Sequence, residues 1–239
     1  MKKLYAVVDL GATNIRVASG DEHGLIKKIS EPTDRENGAE GIASQIVHMI
    51  DSLEVEDLVA IGVGSIGPLN LEQGCIVNTP NLPFKMIPII EPLAKAFRVP
   101  VKLLNDCSAG VLGEQVYGAG RGLRNVVYVT LSTGLGGGAI VDGHLLVGKD
   151  GNAHEIGHLT IDPGSELLCG CGCRGHWEAY CSGANIPNFA RLLLKEKETS
   201  NSILQELTGD DTKRITTENV FRAARDGDPL ARWIVEKIG

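Results

Sequence analysis

Two glycine turns, each set between short apolar strands, constrain this chain more than any other feature. The first is Asp9-Leu-Gly-Ala-Thr-Asn14, which separates an apolar run, Leu4–Leu10, from a strand-like alternation, Ile15–Ser19. The second is Ser132-Thr-Gly-Leu-Gly-Gly-Gly138, which lies between Asn125–Leu131 and Ala139–Val141. Each unit continues alike: Gly20–Gly24 turns into Leu25–Ile29, and Asp142-Gly143 turns into Leu145–Val147. Strand, glycine turn, strand, Asp/Gly turn, strand therefore occurs twice. Convergence on a common hairpin and a true duplication both account for this. A threonine beside glycine at the same joint favours duplication. Two such units facing each other would make a cleft.

Between them the chain alternates helix and strand, which implies a layered α/β domain. Apolar residues at Ile42, Ile46, Met49, Ile50 and Leu53 follow helical spacing from Ala39 to Leu53. Leu58–Val63 and Val99–Leu104 are buried-strand patterns, with a helical stretch after Pro88 and Pro92. Beyond Ile161 the chain is irregular and rich in Gly and Cys up to Cys181. Helices are expected over 184–198, over 217–225 and after Gly227-Asp-Pro229. Two domains are expected, 1–118 and 119–239.

Composition removes several classes of function. The net charge is −7, from 23 basic and 30 acidic residues, so nothing suggests an electrostatic grip on nucleic acid or an anionic membrane. No run approaches the roughly 20 apolar residues of a membrane span, and Asp9 interrupts the only leader-like start. Six cysteines in 239 residues are too few for a disulfide scaffold. A cytoplasmic protein is expected.

Both glycine turns can present backbone N–H groups to phosphate, and a carboxylate such as Asp9 can hold Mg²⁺ through water. Neither is a Walker loop or a Rossmann fingerprint, and a tight hairpin also favours glycine. Asn105-Asp106 ends a strand, where α/β proteins place ligands; Asp106 could take a hydroxyl proton or simply cap a helix. His154-Glu-Ile-Gly-His158 matches the zinc-protease pattern H-E-x-x-H. That chemistry needs a helix, which Gly151, Gly157 and Pro163 oppose, so His154 reads as an incidental loop residue. His158 has better partners in Cys169, Cys171, Cys173 and His176, a ligand density suited to structural zinc or else to reduced thiols. Cys75, Cys107 and Cys181 read as small buried residues.

These pieces together resemble the ROK family of actin-like sugar kinases. Asp9-Leu-Gly-Ala-Thr-Asn-Ile-Arg16 is similar to its first phosphate motif, with Ala12 where a second glycine is common. Asn105-Asp106 resembles the motif of its catalytic aspartate, and Glu155-Ile-Gly-His158 with Cys169–Glu178 its sugar and zinc segment. The resemblance implies two actin-like (ribonuclease H-like) α/β domains around a cleft, the second incomplete. It implies an ATP-dependent hexokinase acting on the 6-hydroxyl, of the glucokinase type, with Asp106 as general base. An N-acetylmannosamine kinase, a fructokinase and a sugar-sensing regulator are the alternatives. Regulators of that kind carry an N-terminal helix-turn-helix, whereas this chain starts on its first phosphate strand. Sugar contacts would come from Ser65, Gly67, Asn81, Asn105, Asp106, Glu155, His158 and Glu178. Asp9, Gly11, Ala12, Thr13, Asn14, Arg16, Ser132, Thr133, Gly134, Gly136 and Gly137 would hold ATP and its Mg²⁺. A structural zinc would sit on His158, Cys169, Cys171 and His176, with Cys173 competing for the fourth place. The family also suggests a homo-oligomer, dimer or tetramer. Its members continue past the position of Gly239, so the sequence is expected to be a truncated kinase whose last helix exposes Trp233, Ile234 and Ile238.

Overall fold

The computed structural model describes residues 3–153, 155–196, 202–209 and 211–239, and the chain divides into two compact units. One holds Met1–Tyr128 and Gly138–His154; the other holds Val129–Gly137 and Glu155–Gly239. This differs from a single boundary near 118, because the chain changes unit inside its second strand-turn-strand repeat and then changes back. Local pattern does not report which contacts a strand will make.

The first unit opens with a meander of β1 (Leu4–Leu10), β2 (Asn14–Asp21) and β3 (Gly24–Pro32). It continues with α1 (Gly38–Asp51), β4 (Leu58–Ser65), β5 (Leu69–Asn70), β6 (Cys75–Val77), β7 (Met86–Pro88), α2 (Ile90–Phe97), β8 (Val101–Asn105) and α3 (Asp106–Tyr117). Five strands form one sheet in the order β3-β2-β1-β4-β8. The meander is antiparallel, and β1, β4 and β8 run parallel. Alternate residues of β1, Ala6, Val8 and Leu10, face the core with Ile42, Ile46, Met49 and Ile50 of α1. Each of these side chains larger than alanine contributes about 1.5–3 kcal/mol on burial. Strands β5 to β7 form a small separate sheet; at two or three residues each, they are too short to show a period.

Register decides what the sheet presents. Leu10 lies opposite Ser65, and Ser65 opposite Asn105. Three parallel strands therefore end level, and the segments that follow them leave from one edge.

The second glycine turn joins β9 (Val126–Leu131) to β10 (Leu135–Val141), and β11 (His144–Leu145) completes a sheet of order β11-β10-β9. That succession matches β3-β2-β1, as the repeated pattern predicts. In the second unit, α4 (Glu178–Cys181), α5 (Ile186–Glu196), α6 (Ile203–Thr208), α7 (Thr217–Arg225) and α8 (Pro229–Ile238) follow the irregular stretch. The expected end of the fifth helix at 197–198 lies outside the described residues.

The expectation of an exposed final helix is corrected. Ile234 is fully buried, and Trp233 and Ile238 are half-buried against a core that includes Phe189, Leu193, Leu230 and Ala231. Helices α5 and α7, earlier in the chain, supply this cover, which periodicity within α8 alone does not reveal.

One carboxylate serves two helix starts in this unit. Asp228 accepts from the N–H groups of Leu230 and Ala231 at the start of α8, at 2.8 and 3.1 Å. Its other oxygen accepts from Ser202 Oγ at 2.6 Å and Leu204 N–H at 2.9 Å, at the start of α6. Burial opposes its ionisation, but these hydrogen bonds outweigh it and hold the carboxyl below its ordinary value. A depressed carboxylate stabilises the fold above its unfolded pKa and loses that contribution as pH falls through the folded one. Asp228→Ala should cost about 2–4 kcal/mol, since it leaves several buried donors unpaired. Denaturant unfolding should also show the difference from the parent protein shrinking below pH ~4.

Candidate functional site

The first glycine turn is held from behind. Thr33 donates from Oγ1 to the Gly11 carbonyl at 2.8 Å and from its N–H to the Thr13 carbonyl at 3.0 Å. Arg35 donates from Nη2 to the intervening Ala12 carbonyl at 2.7 Å. Three consecutive carbonyls therefore face one side. Because C=O and N–H of a planar trans peptide point oppositely, the N–H groups of Ala12, Thr13 and Asn14 are turned the other way. Among the described residues, those of Ala12 and Thr13 meet no protein acceptor. Such paired N–H groups form an anion nest. Beside them, Arg16 Nη1 lies 2.6 Å from Asp9 Oδ2, with both side chains about half-exposed. Thr33 and Arg35 carry no motif that a sequence reading could find.

The level strand ends bring further expected residues to the same edge. Ile66 N–H donates to the Leu10 carbonyl at 3.1 Å, tying the loop after β4 to the first turn. Ser65 is wholly buried and its hydroxyl donates to the Ile66 carbonyl at 3.0 Å, so this side chain shapes the loop toward Gly67 from within. Asn105, not Asp106, is the N-cap of α3: its Oδ1 accepts from Cys107 N–H at 2.9 Å. Asp106, exposed at the first helical position, also accepts from that N–H through Oδ1, at 2.8 Å. Gly64 lets α3 approach, since a Cβ there would meet Ala109 Cβ at 3.3 Å. A cleft of about 380 Å³ runs past Asp9, Gly64, Leu104 and Asp106, with Lys102 at its wall. Asn81 is exposed, and its carbonyl lies 3.5 Å from Arg35 Nη2.

The second unit treats its glycine turn in the same way. Gly183 N–H donates to the Ser132 carbonyl at 2.8 Å, and Ala184 N–H donates to the Thr133 carbonyl at 3.1 Å. Glu178 accepts from Leu135 N–H at 2.9 Å through Oε2 and from Cys169 Sγ at 3.4 Å through Oε1. Gly134 is required for this approach, because a Cβ there would lie 2.7 Å from Glu178 Oε2. Gly136 and Gly137 follow Leu135 in β10, where a Cβ on Gly137 would meet Ile156 at 2.8 Å.

Beside that turn, one ligand atom each from His158, Cys169, Cys171 and His176 lies within 4.8 Å of all the others. His158 Nδ1 is 3.3 Å from His176 Nδ1 and 3.6 Å from Cys169 Sγ, and His176 Nδ1 is 3.4 Å from Cys171 Sγ. Zinc bonds are about 2.0–2.1 Å to nitrogen and about 2.3 Å to sulfur. A tetrahedral edge is about 1.63 bond lengths, so it spans roughly 3.3–3.4 Å for N–N and roughly 3.5–3.6 Å for N–S. The three separations above match edges of a zinc-sized tetrahedron. Cys173 stands outside the group, exposed on the surface.

A tight hairpin builds this cluster. Cys169 N–H donates to the Cys173 carbonyl at 2.8 Å, and Leu168 bridges to Arg174. Burial pushes the Cys169 thiol up to about 12; the Cys171 backbone N–H opposes this and the Glu178 carboxylate adds to it. A thiol so raised keeps its proton until a cation displaces it. Glu155 Oε2 lies 3.8 Å from His158 Nε2, so the ring has the cluster on one nitrogen and a carboxylate on the other. The span Ile156–His158 is a single 3₁₀ turn. It is no platform for a zinc-protease pair, and His154 lies outside the described residues.

Known proteins resemble the chain in sequence and fold. The ROK family model matches residues 5–239. A glucokinase of Pyrobaculum calidifontis is 42% identical over 223 residues, covering 93% of this chain and 67% of its own length. The crystal structure of a ROK family glucokinase from Streptomyces griseus, in complex with glucose and AMPPNP, matches with TM-score 0.74 and 31% identity. That match covers 98% of this chain and 75% of the other. A ROK family transcriptional regulator, a homologue of the E. coli MLC protein, matches with TM-score 0.82 and 25% identity over 100% of this chain and 60% of its own.

The close approach behind the second turn is testable. A Cβ on Gly183 would lie 2.8 Å from the Ser132 carbonyl oxygen, so Gly183→Ala should cost about 1–3 kcal/mol in thermal or denaturant unfolding. Gly113, inside α3, has open space around it. Gly113→Ala should instead stabilise by roughly 0.5–1 kcal/mol.

Proposed function

The chain belongs to the ROK family, and on that footing we propose that it is an ATP-dependent hexose kinase whose sugar is glucose. The observation that carries this reading is the level row Leu10, Ser65, Asn105, from which the first phosphate turn and Asp106 open together. Phosphoryl transfer needs little covalent chemistry from a protein; it needs an anchored phosphate and an oriented hydroxyl. The N–H groups of Ala12 and Thr13 suit the first requirement, and the matching turn at Ser132–Gly137 the same task in the second unit. The carboxylate of Asp106 suits the second: one oxygen is steadied by Cys107 N–H, and the other can take the proton of the sugar 6-hydroxyl as its oxygen attacks. Asn105 uses its amide oxygen in the cap and keeps its NH₂ for a sugar hydroxyl.

Mg²⁺ bound with the triphosphate supplies neutralising charge, and Asp9 offers a carboxylate for it. Glu155, His158 and Glu178 are the proposed sugar contacts of the second unit. Both oxygens of Glu178 already accept one hydrogen bond, and each has a further lone pair for a hydroxyl. We take the four-donor cluster to be a structural zinc site that clamps the turn at His158 to the hairpin at Cys169–His176. A cytoplasmic homo-oligomer is the setting that the family resemblance implies.

Asp106→Asn should lower turnover by about 10² or more, the scale of a lost general base, while sugar affinity changes little. ADP release over a panel of hexoses and N-acetylhexosamines should give glucose the highest kcat/KM. A higher value for fructose or N-acetylmannosamine would move the substrate, and sugar binding with no ADP release would favour the regulator reading. Elemental analysis should find about one zinc per chain, kept in Cys173→Ser and bound at least 100-fold more weakly in His176→Ala, in line with the cost of disturbing metal shells.

A further inference from the structure

Arg35 touches two segments that the proposed function assigns to different substrates. Its Nη2 donates to the Ala12 carbonyl of the phosphate turn at 2.7 Å and lies 3.5 Å from the carbonyl of Asn81, in the loop read as a sugar contact. Both carbonyls belong to the first unit. One nitrogen with two N–H bonds thus spans from one loop to the other.

The segment carrying Arg35 is fixed on both sides. Before it, Thr33 is buried and bonded to Gly11 and Thr13. Asp34 folds the chain back: its Oδ1 accepts from the N–H groups of Glu36 and Asn37 at 2.9 and 3.1 Å, and its Oδ2 from Asn37 Nδ2 at 2.7 Å. Asp34 N–H is in turn held by Gln45 of α1 at 2.9 Å. The guanidinium therefore extends from an anchored base, and a shift of either loop acts on the other through it.

The Ala12 carbonyl is the sensitive point. It shares a rigid peptide plane with the N–H of Thr13, one of the two N–H groups of the phosphate nest. Rotation of that plane changes the direction of a donor to phosphate. We propose that Arg35 is a positioning residue that couples the two substrates: sugar seated against the Asn81 loop sets the Asn81–Arg35–Ala12 bridge, which aims Thr13 N–H at the nucleotide phosphate. This rests on the kinase reading of the two loops.

Coupling between ligands is reciprocal and in proteins commonly amounts to 5- to 150-fold, about that range in affinity. Binding of the non-hydrolysable Mg·AMPPNP to the full chain, measured by calorimetry with and without saturating glucose, should show tightening of about fivefold or more. In Arg35→Ala the factor should fall to about one, and in Arg35→Lys as well, because a point-like ammonium cannot offer two N–H bonds in a fixed fork. Glucose alone should bind both variants within about threefold of the parent, nucleotide alone should weaken by less than the lost coupling factor, and Arg35→Lys should keep the parent melting temperature. In steady state, KM for ATP at saturating glucose should rise more than kcat falls.

Parent-like coupling in both variants would overturn the proposal, as would a parent protein that binds both ligands independently. Equal weakening of each ligand alone, with coupling intact, would mark a merely structural role and overturn it too. A parent protein that binds neither glucose nor nucleotide would overturn the kinase reading itself, and the coupling with it.

Discussion

The capture of a few peptide planes fixes both glycine turns of this protein. In each glycine turn the carbonyls are captured from behind, by Thr33 and Arg35 in one unit and by the N–H groups of Gly183 and Ala184 in the other. A glycine-rich loop left to itself samples many orientations of its N–H groups. Here part of that entropy is lost on folding, because each captured carbonyl fixes the direction of the N–H group that shares its peptide plane. The two turns use different residues for the same physical result, which is why the likeness between them is one of pattern rather than of letters.

The second turn is linked to the cysteine and histidine cluster. Glu178 joins them: one oxygen holds Leu135 N–H at the end of the turn, the other takes the Cys169 thiol. The irregular stretch from Ile161 to Cys181 has little regular structure of its own and shares one hairpin and one bridge, Thr160 to His176. An ion on four of its side chains would supply the order that helices and sheets supply elsewhere. Burial raises the Cys169 thiol, so a cation held by this cluster would have to replace its proton. In this member of the ROK family, one glycine turn is thus held by the side chains of Thr33 and Arg35, and the other by backbone N–H groups and Glu178.

Strands with alternating or continuous apolar patterns were legible because their period is local. So was the helix over 217–225, which matches the structure to the residue. The candidate metal ligands were legible as a group because Cys and His donors crowd into a short span, and geometry then gathered His176 and not Cys173 with the others. Other features had no local signal. The strands β5 to β7 are too short to carry a period. The cap of α3 fell to Asn105 rather than Asp106, because register ends β8 at Asn105 and both residues are good caps. The burial of Trp233, Ile234 and Ile238 required knowing where α5 and α7 pack.

Sequence by itself determined the chemistry available: two glycine turns at equivalent joints, an Asn-Asp pair at a strand end, and a dense run of soft ligands near a histidine. These follow from composition and spacing over a few residues, which the covalent chain sets directly. Tertiary structure decided which of those groups meet. The level ends of β1, β4 and β8 depend on the register between strands that lie far apart in sequence. The capture of Ala12 by Arg35, and of Ser132 by Gly183, joins residues about 20 and 50 positions apart that no periodicity links. Hydrogen bonds and packing across such distances arise only once the chain has closed its loops, so their partners are a property of the fold and not of any window of sequence.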